Sequence, residues 1–164
     1  MAILDVLVYP NPALREPVAE VTEFDENLKR LVSDMWETMY LSKGVGLAAP
    51  QVGVGKRLFV VDWEENKRVV VNPEIVEAEG TETGDEGCLS FPGIYEEVTR
   101  PGRIRILYMD ENGERHDEVA EGYLARVYSH ETDHLDGKLL IDHLSALKRA
   151  FLRKKMSRRP RAKE

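Results

Sequence analysis

The sequence holds one cysteine in 164 residues. No internal disulfide is available, so a reducing compartment is expected and Cys88 is left to packing or chemistry. No apolar run approaches the roughly 20 residues that a membrane-spanning helix needs. The opening segment, MAILDVLVYPNPALREP, lacks an early basic cluster and carries Asp5, which makes it a poor secretory signal. No segment repeats. These absences exclude a disulfide scaffold, a membrane protein and a repeat array. What is present is the composition of one globular domain, with 42% apolar and 32% charged residues.

The net charge of −7 is unevenly spread. Nine basic side chains and one acid lie between Lys148 and Glu164, net +8, which leaves residues 1–147 at −15. Such an acidic body repels nucleic-acid backbone, so no sequence-specific nucleic-acid binding is expected, while the tail attracts phosphate.

Residues 10–17 hold three prolines and read as an extended, irregular arm. Asp25 then opens a helical pattern with Leu28, Leu31, Val32, Met35 and Met39 on one face, ended by Gly44. Residues 44–53, GVGLAAPQVG, have neither helical nor strand period and read as a small-residue loop. Segments 57–63 and 68–72 are β-branched strands, the second closed by Pro73 soon after. Residues 103–109 and 114–120 form a hairpin across Glu111-Asn112-Gly113. A second helix runs from near Glu118 or Glu121 to Leu135, stopped by Gly137. A third begins near Ser145 and docks through Leu147, Phe151 and Leu152. The sum is one α+β domain with a short basic tail.

The sharpest chemical signal is His130-Glu131-Thr132-Asp133-His134. On a helix the two histidines share a face, about 6 Å apart along the axis at 1.5 Å per residue. Two imidazoles so placed converge on one metal ion, and Glu131 reaches a metal-bound water as general base. A catalytic site of this kind needs a third protein ligand. The metalloprotease continuation matches at Gly137, but Leu140 stands where its third histidine belongs. His143 is off that register, and His116 reads as a solvated strand residue. Cys88, within Asp85-Glu86-Gly87-Cys88-Leu89-Ser90-Phe91-Pro92-Gly93, is the better candidate. Its thiolate suits zinc or ferrous iron, and the flanking glycines let the backbone turn sharply. In the 44–53 loop small side chains allow close approach of a substrate backbone, and Gln51 offers an uncharged amide donor. Neither a phosphate-binding loop nor a dinucleotide fingerprint is present.

Taken together, GVGLAAPQVG, EGCLSFPG and HETDHLDG resemble the peptide deformylase family in order and separation, and YPNPALR resembles that family's opening arm. The likeness extends to about residue 152. It implies a single metallohydrolase domain over 1–152, with small, mainly antiparallel sheets packed around a central helix carrying the metal motif, and a C-terminal helix. Residues 153–164 follow as a basic tail, a helix end and then a frayed terminus. One departure is Ser129, where the family usually has Gln, next to the first motif histidine.

The resemblance also implies an activity: removal of the N-formyl group from the initiator methionine of nascent polypeptides, with release of formate, in the cytoplasm. By position, Cys88, His130 and His134 are the metal ligands, and Glu131 is the acid/base that serves attack of a metal-bound water on the formyl carbon. Gln51 and the Leu89 N–H hold the oxyanion. Val45 and Gly46 line the methionine pocket. One divalent ion per chain is expected, Fe2+ by family, with Zn2+, Ni2+ or Co2+ able to substitute; the donors alone point to zinc. N-formylmethionyl nascent peptides are the expected substrate, and the basic tail is a candidate ribosome contact. Two rivals share part of the pattern. A zincin-like endopeptidase keeps its metal without Cys88, and a closed structural metal module needs a fourth ligand.

Overall fold

The computed structural model describes residues 2–157; the frayed end expected after them lies outside the described residues. Three helices and two antiparallel sheets make an α+β fold. The helices are α1 (Glu26–Leu41), α2 (Gly122–Leu135) and α3 (Ala146–Ser157). The strands are β1 (Gly46–Ala48), β2 (Leu58–Trp63), β3 (Asn66–Glu79), β4 (Glu82–Cys88), β5 (Phe91–Arg100), β6 (Arg103–Met109) and β7 (Arg115–Glu121). One sheet has the order β1-β2-β3-β6-β7; the other is the hairpin β4-β5.

Alternation in the central strands puts a helix on each face of the larger sheet. Leu58 and Val60 of β2 join Leu28, Val32, Met35 and Met39 of α1 in one cluster. Phe59 and Val61, one residue out of phase, join Ala125, Val127, Tyr128 and Leu135 of α2 in another. The two-stranded sheet buries Phe91, Ile94 and Val98 against Leu14 of the N-terminal arm, the 139–144 segment, and Leu152 and Met156 of α3.

Helix α1 forms where its periodicity predicts, with Asp25 Oδ1 accepting the Leu28 N–H at 3.1 Å as N-cap. Its left-handed exit residue is Lys43 at φ 59°, not Gly44, which follows it and donates to the Met39 carbonyl. The 44–53 segment is not a plain loop. Gly46, Leu47 and Ala48 pair with Val61, Val60 and Phe59 as an edge strand, and a 3₁₀ turn covers Ala49–Val52. Cross-strand pairing overrides what small side chains alone predict. Strand β3 also runs through Pro73 instead of stopping there. A register shift between Val71 and Glu74 absorbs the proline, and Asn72 sits at φ 52° with its amide bonded to both the N–H and carbonyl of Val21. The hairpin β4-β5 has no counterpart in the sequence reading. In the C-terminal helix Leu152 is buried, whereas Leu147 and Phe151 are 82% and 69% exposed and do not dock.

Candidate metal centre

The three candidate ligands arrive from two elements. His130 and His134 face inward from α2, both buried, and Cys88 ends β4 at the tip of the second hairpin. Cys88 Sγ lies 3.3 Å from His134 Nε2, which lies 3.2 Å from His130 Nε2. All three donor atoms fall within 4.8 Å of one another. His143 is held apart, bonded to Asp133, and His116 stacks on Tyr108 beside Asp110 on a distant hairpin.

The buried network around His130 fixes its tautomer. Glu86 Oε1 lies 2.9 Å from His130 Nδ1. Burial alone would raise the Glu86 carboxyl, but the hydrogen bonds of Arg100 and His130 hold it far below the usual range. The ionised carboxylate only accepts, so Nδ1 carries a proton, and Nε2 is the ring nitrogen turned toward Cys88 and His134. His130 itself is drawn upward by Cys88 and Glu86 against burial, and His134 is driven downward by burial and the nearby His130. Donor atoms this close must share a cation, either a proton or a metal ion. Their spacing also suits an ion with ligand bonds of about 2.0–2.3 Å, whose tetrahedral corners stand roughly 3.3–3.6 Å apart. The donor set therefore fits a divalent metal with a fourth position open.

Glu131 lines a cavity of about 450 Å³ together with Cys88 and His130. Burial drives its carboxyl up to about 7 against the pull of His130, and its Oε1 is buried without a protein partner among the described residues. Gly46 allows this placement: a Cβ there would stand 2.6 Å from Glu131 Oε2. Gln51 is fixed at both ends of its amide. Its Oε1 accepts from the Ala48 N–H at 2.9 Å, and its Nε2 donates to Ser90 Oγ at 3.2 Å and lies 3.6 Å from Cys88 Sγ. Val45, Gly46, Leu89, Cys88, Gln51 and Glu131 all line the same cavity. Ser129, the departure noted in the sequence, is buried with its Oγ unpartnered among the described residues.

Sequence reading did not single out Arg100, Arg126 or the bridging part of Glu86. Arg100 grips Glu86 with two nitrogens at 2.8 and 2.9 Å and also binds Asp133. Arg126 donates to Glu86 Oε2 at 2.7 Å. The available signal was positional: Arg126 stands one helical turn before His130, and Glu86 stands two residues before Cys88.

The family model for polypeptide deformylase matches residues 3–150. A peptide deformylase of Alkalilimnicola ehrlichii is 52% identical over 162 residues, covering 96% of this chain and 91% of that protein. One from Thermotoga maritima is 51% identical over 152 residues, covering 92% and 93%. The crystal structure of the Thermotoga maritima peptide deformylase superposes with a TM-score of 0.86 at 49% identity, covering 88% of this chain and 99% of that one. The Ehrlichia chaffeensis peptide deformylase in complex with actinonin superposes with a TM-score of 0.95 at 37% identity, covering 99% and 100%.

Proposed function

The chain belongs to the polypeptide deformylase family, an enzyme family that removes N-formyl groups from nascent peptides, and from that premise we propose a metal-dependent hydrolase acting on N-terminal formylmethionine and releasing formate. The observation that carries the reading is the convergence of the Cys88, His130 and His134 donor atoms, with Cys88 and His130 lining one cavity together with the buried Glu131. Cys88, His130 and His134 hold the ion, ferrous iron by family, with zinc, nickel or cobalt as substitutes. When bound, a divalent ion at such a site supplies Lewis acidity that lowers the pKa of water toward neutrality and polarises a carbonyl.

The protein's own groups do the rest. Glu131, raised toward neutrality by burial, takes the proton of the attacking water and returns it to the departing amine. Gln51 Nε2, anchored through Ala48, and the Leu89 N–H hold the oxyanion of the formyl carbon, each such donor contributing about 3–4 kcal/mol. Val45 and Gly46 line the methionine pocket, and the edge strand β1 offers its backbone to the peptide. A formyl carbon bears hydrogen where an internal peptide carbon bears a chain, so a tight site admits the first and excludes the second.

The same proposal takes residues 1–152 as the catalytic domain and 153–164 as a basic extension. It places the enzyme in the cytoplasm beside translating ribosomes, with the extension contacting ribosomal phosphate. No helix among the described residues is long and apolar enough to cross a membrane.

Metal content measured together with formate release from a formyl-Met peptide tests the reading. Wild type is expected to bind one ion and release formate, Cys88→Ala to lose both, and Glu131→Gln to keep the ion and lose about 10²–10⁴-fold in rate. Full metal in Cys88→Ala would overturn the ligand set in favour of a zincin-like site. Activity within about tenfold of wild type in metal-replete Glu131→Gln would overturn the acid/base role.

A further inference from the structure

We propose that Arg126 is a positioning residue for the metal centre, setting the hairpin that carries Cys88 against the helix that carries both histidines. The inference rests on the metal reading above and deepens it. The ligand triangle spans two elements that share no strand pairing: β4-β5 is a sheet of its own, and α2 packs mainly on the larger sheet. The position of Cys88 Sγ relative to the imidazoles therefore depends on what joins the hairpin to the helix.

Arg126 is that join. Its side chain is 8% exposed and lies one turn before His130 on α2. Its guanidinium donates to carbonyls on both strands of the hairpin, Glu82 at 2.9 Å and Val98 at 2.8 Å, with a longer contact of 3.4 Å to Gly84. The same Nη1 donates to Glu86 Oε2 at 2.7 Å, and Glu86 Oε1 orients His130. Arg100 does a different job. It belongs to β5, so its fork on Glu86 closes within the hairpin, and its contact with the helix is at Asp133, beyond His130. The hairpin is thus fastened to α2 on both sides of His130. Without Arg126 the hairpin keeps only the Arg100–Asp133 and Glu86–His130 contacts, loses its hold on α2 in the turn before His130, and shifts there, and Glu86 loses one of its three partners. A planar group with several fixed donors suits this task, and an ammonium ion supplies only a point contact.

Substitution at 126 should therefore disturb the ion's surroundings as well as folding. The test is Co2+ uptake by full-length wild type, Arg126→Met and Arg126→Lys, read by chelator competition and by the cobalt d–d and thiolate charge-transfer bands. Arg126→Met is expected to lose about 10–100-fold in Co2+ affinity, with shifted bands, and Arg126→Lys to lose less. Arg126 as a mere structural seal would lower the melting temperature and leave the bands of bound Co2+ unmoved. Both variants binding within about threefold of wild type with unchanged bands would overturn the proposal. Should Arg126→Met fail to fold, Arg126→Lys decides alone, and wild-type bands and affinity there overturn it. Failure of wild type itself to take up Co2+ would instead overturn the metal reading, and this inference with it.

Discussion

Gly46 and Glu131 are matched in size: a Cβ at position 46 would stand 2.6 Å from Glu131 Oε2 and 3.0 Å from its Cδ. Real Cβ atoms do not approach so closely, so one side must move. Gly46 is pinned in β1 opposite Val61, and the carboxylate is the freer partner. Gly46→Ala is therefore expected to push Glu131 from its place and lower kcat up to about 100-fold, the scale of a 1 Å misplacement. Bound metal should be unchanged. Steady-state kinetics beside metal analysis checks this, and a wild-type kcat would show that Glu131 adapts or acts from elsewhere.

Much of this site was legible in the sequence because its chemistry is local. The spacing of His130, Glu131 and His134 has one physical consequence on a helix, and the structure places those residues on α2. The α1 face and the β6-β7 hairpin followed equally from periodicity and turn residues. The β4-β5 hairpin was illegible for a definite reason. Gly84, Gly87 and the charged Glu82, Asp85, Glu86, Glu96 and Glu97 have poor strand propensity, and the strands are held by groups far away in sequence, above all Arg126. Edge strand β1 was hidden likewise, since its pairing with β2 is a tertiary fact. Arg126, a charge between Ala125 and Val127 on the inward side of α2, was the overlooked clue. Arg126 and Glu86 are buried because they satisfy each other.

Gln51 is 1% exposed, and its carbonyl oxygen is already engaged by the Ala48 N–H. The amide nitrogen is thereby aimed at the cavity side, toward Ser90 and Cys88. A donor preset in this way gains most when charge develops on the substrate oxygen. Gln51→Ala is expected to lower kcat by about 10²–10³-fold with a smaller rise in KM. A change confined to KM would assign Gln51 to ground-state binding.

The N-terminal arm is fastened by Arg15, which reaches Asp142 with two nitrogens at 2.8 and 3.0 Å and also the Gly137 carbonyl. Burial pushes the Asp142 carboxyl up, but the hydrogen bonds from Arg15 and from the Leu139 N–H outweigh it and hold the group below its usual value of 3.8. The folded chain thus binds this proton less readily than the unfolded chain. Its stabilising effect is full above pH 3.8 and is lost as pH falls through the lower, folded value. The pair is partly exposed, so Asp142→Asn is expected to cost no more than about 1 kcal/mol at neutral pH. Urea melts of the two proteins should converge by about pH 2–3. A difference that persists undiminished at that pH would show that the aspartate charge is not what fastens the arm.

Helix α3 presents two unlike faces. Leu152 and Met156 are each 3% exposed and sit with Phe91, Ile94 and Leu14, whereas Leu147 and Phe151 face solvent with Lys148, Lys154 and Lys155. Leu152→Ala should therefore cost about 2–4 kcal/mol, and Phe151→Ser less than about 0.5 kcal/mol. Truncation after Met156 keeps both anchors and removes Arg158, Arg159, Arg161 and Lys163, which lie outside the described residues. Turnover of a short formyl-Met peptide should stay near wild type, since the described lining of the cavity lies between Ser42 and Glu131. Attraction to ribosomal phosphate should fall, and the loss should be largest at low ionic strength, where the Debye length exceeds about 10 Å. Cosedimentation with ribosomes across a salt series measures it. Four fewer cations should flatten the slope of log affinity against log salt by up to about three units, taking roughly 0.7–0.9 per released counterion. Equal retention of full-length and truncated protein at low salt would remove the tail from ribosome binding, and would leave the basic, solvent-facing side of α3 as the only described part of the C-terminal region still able to carry it.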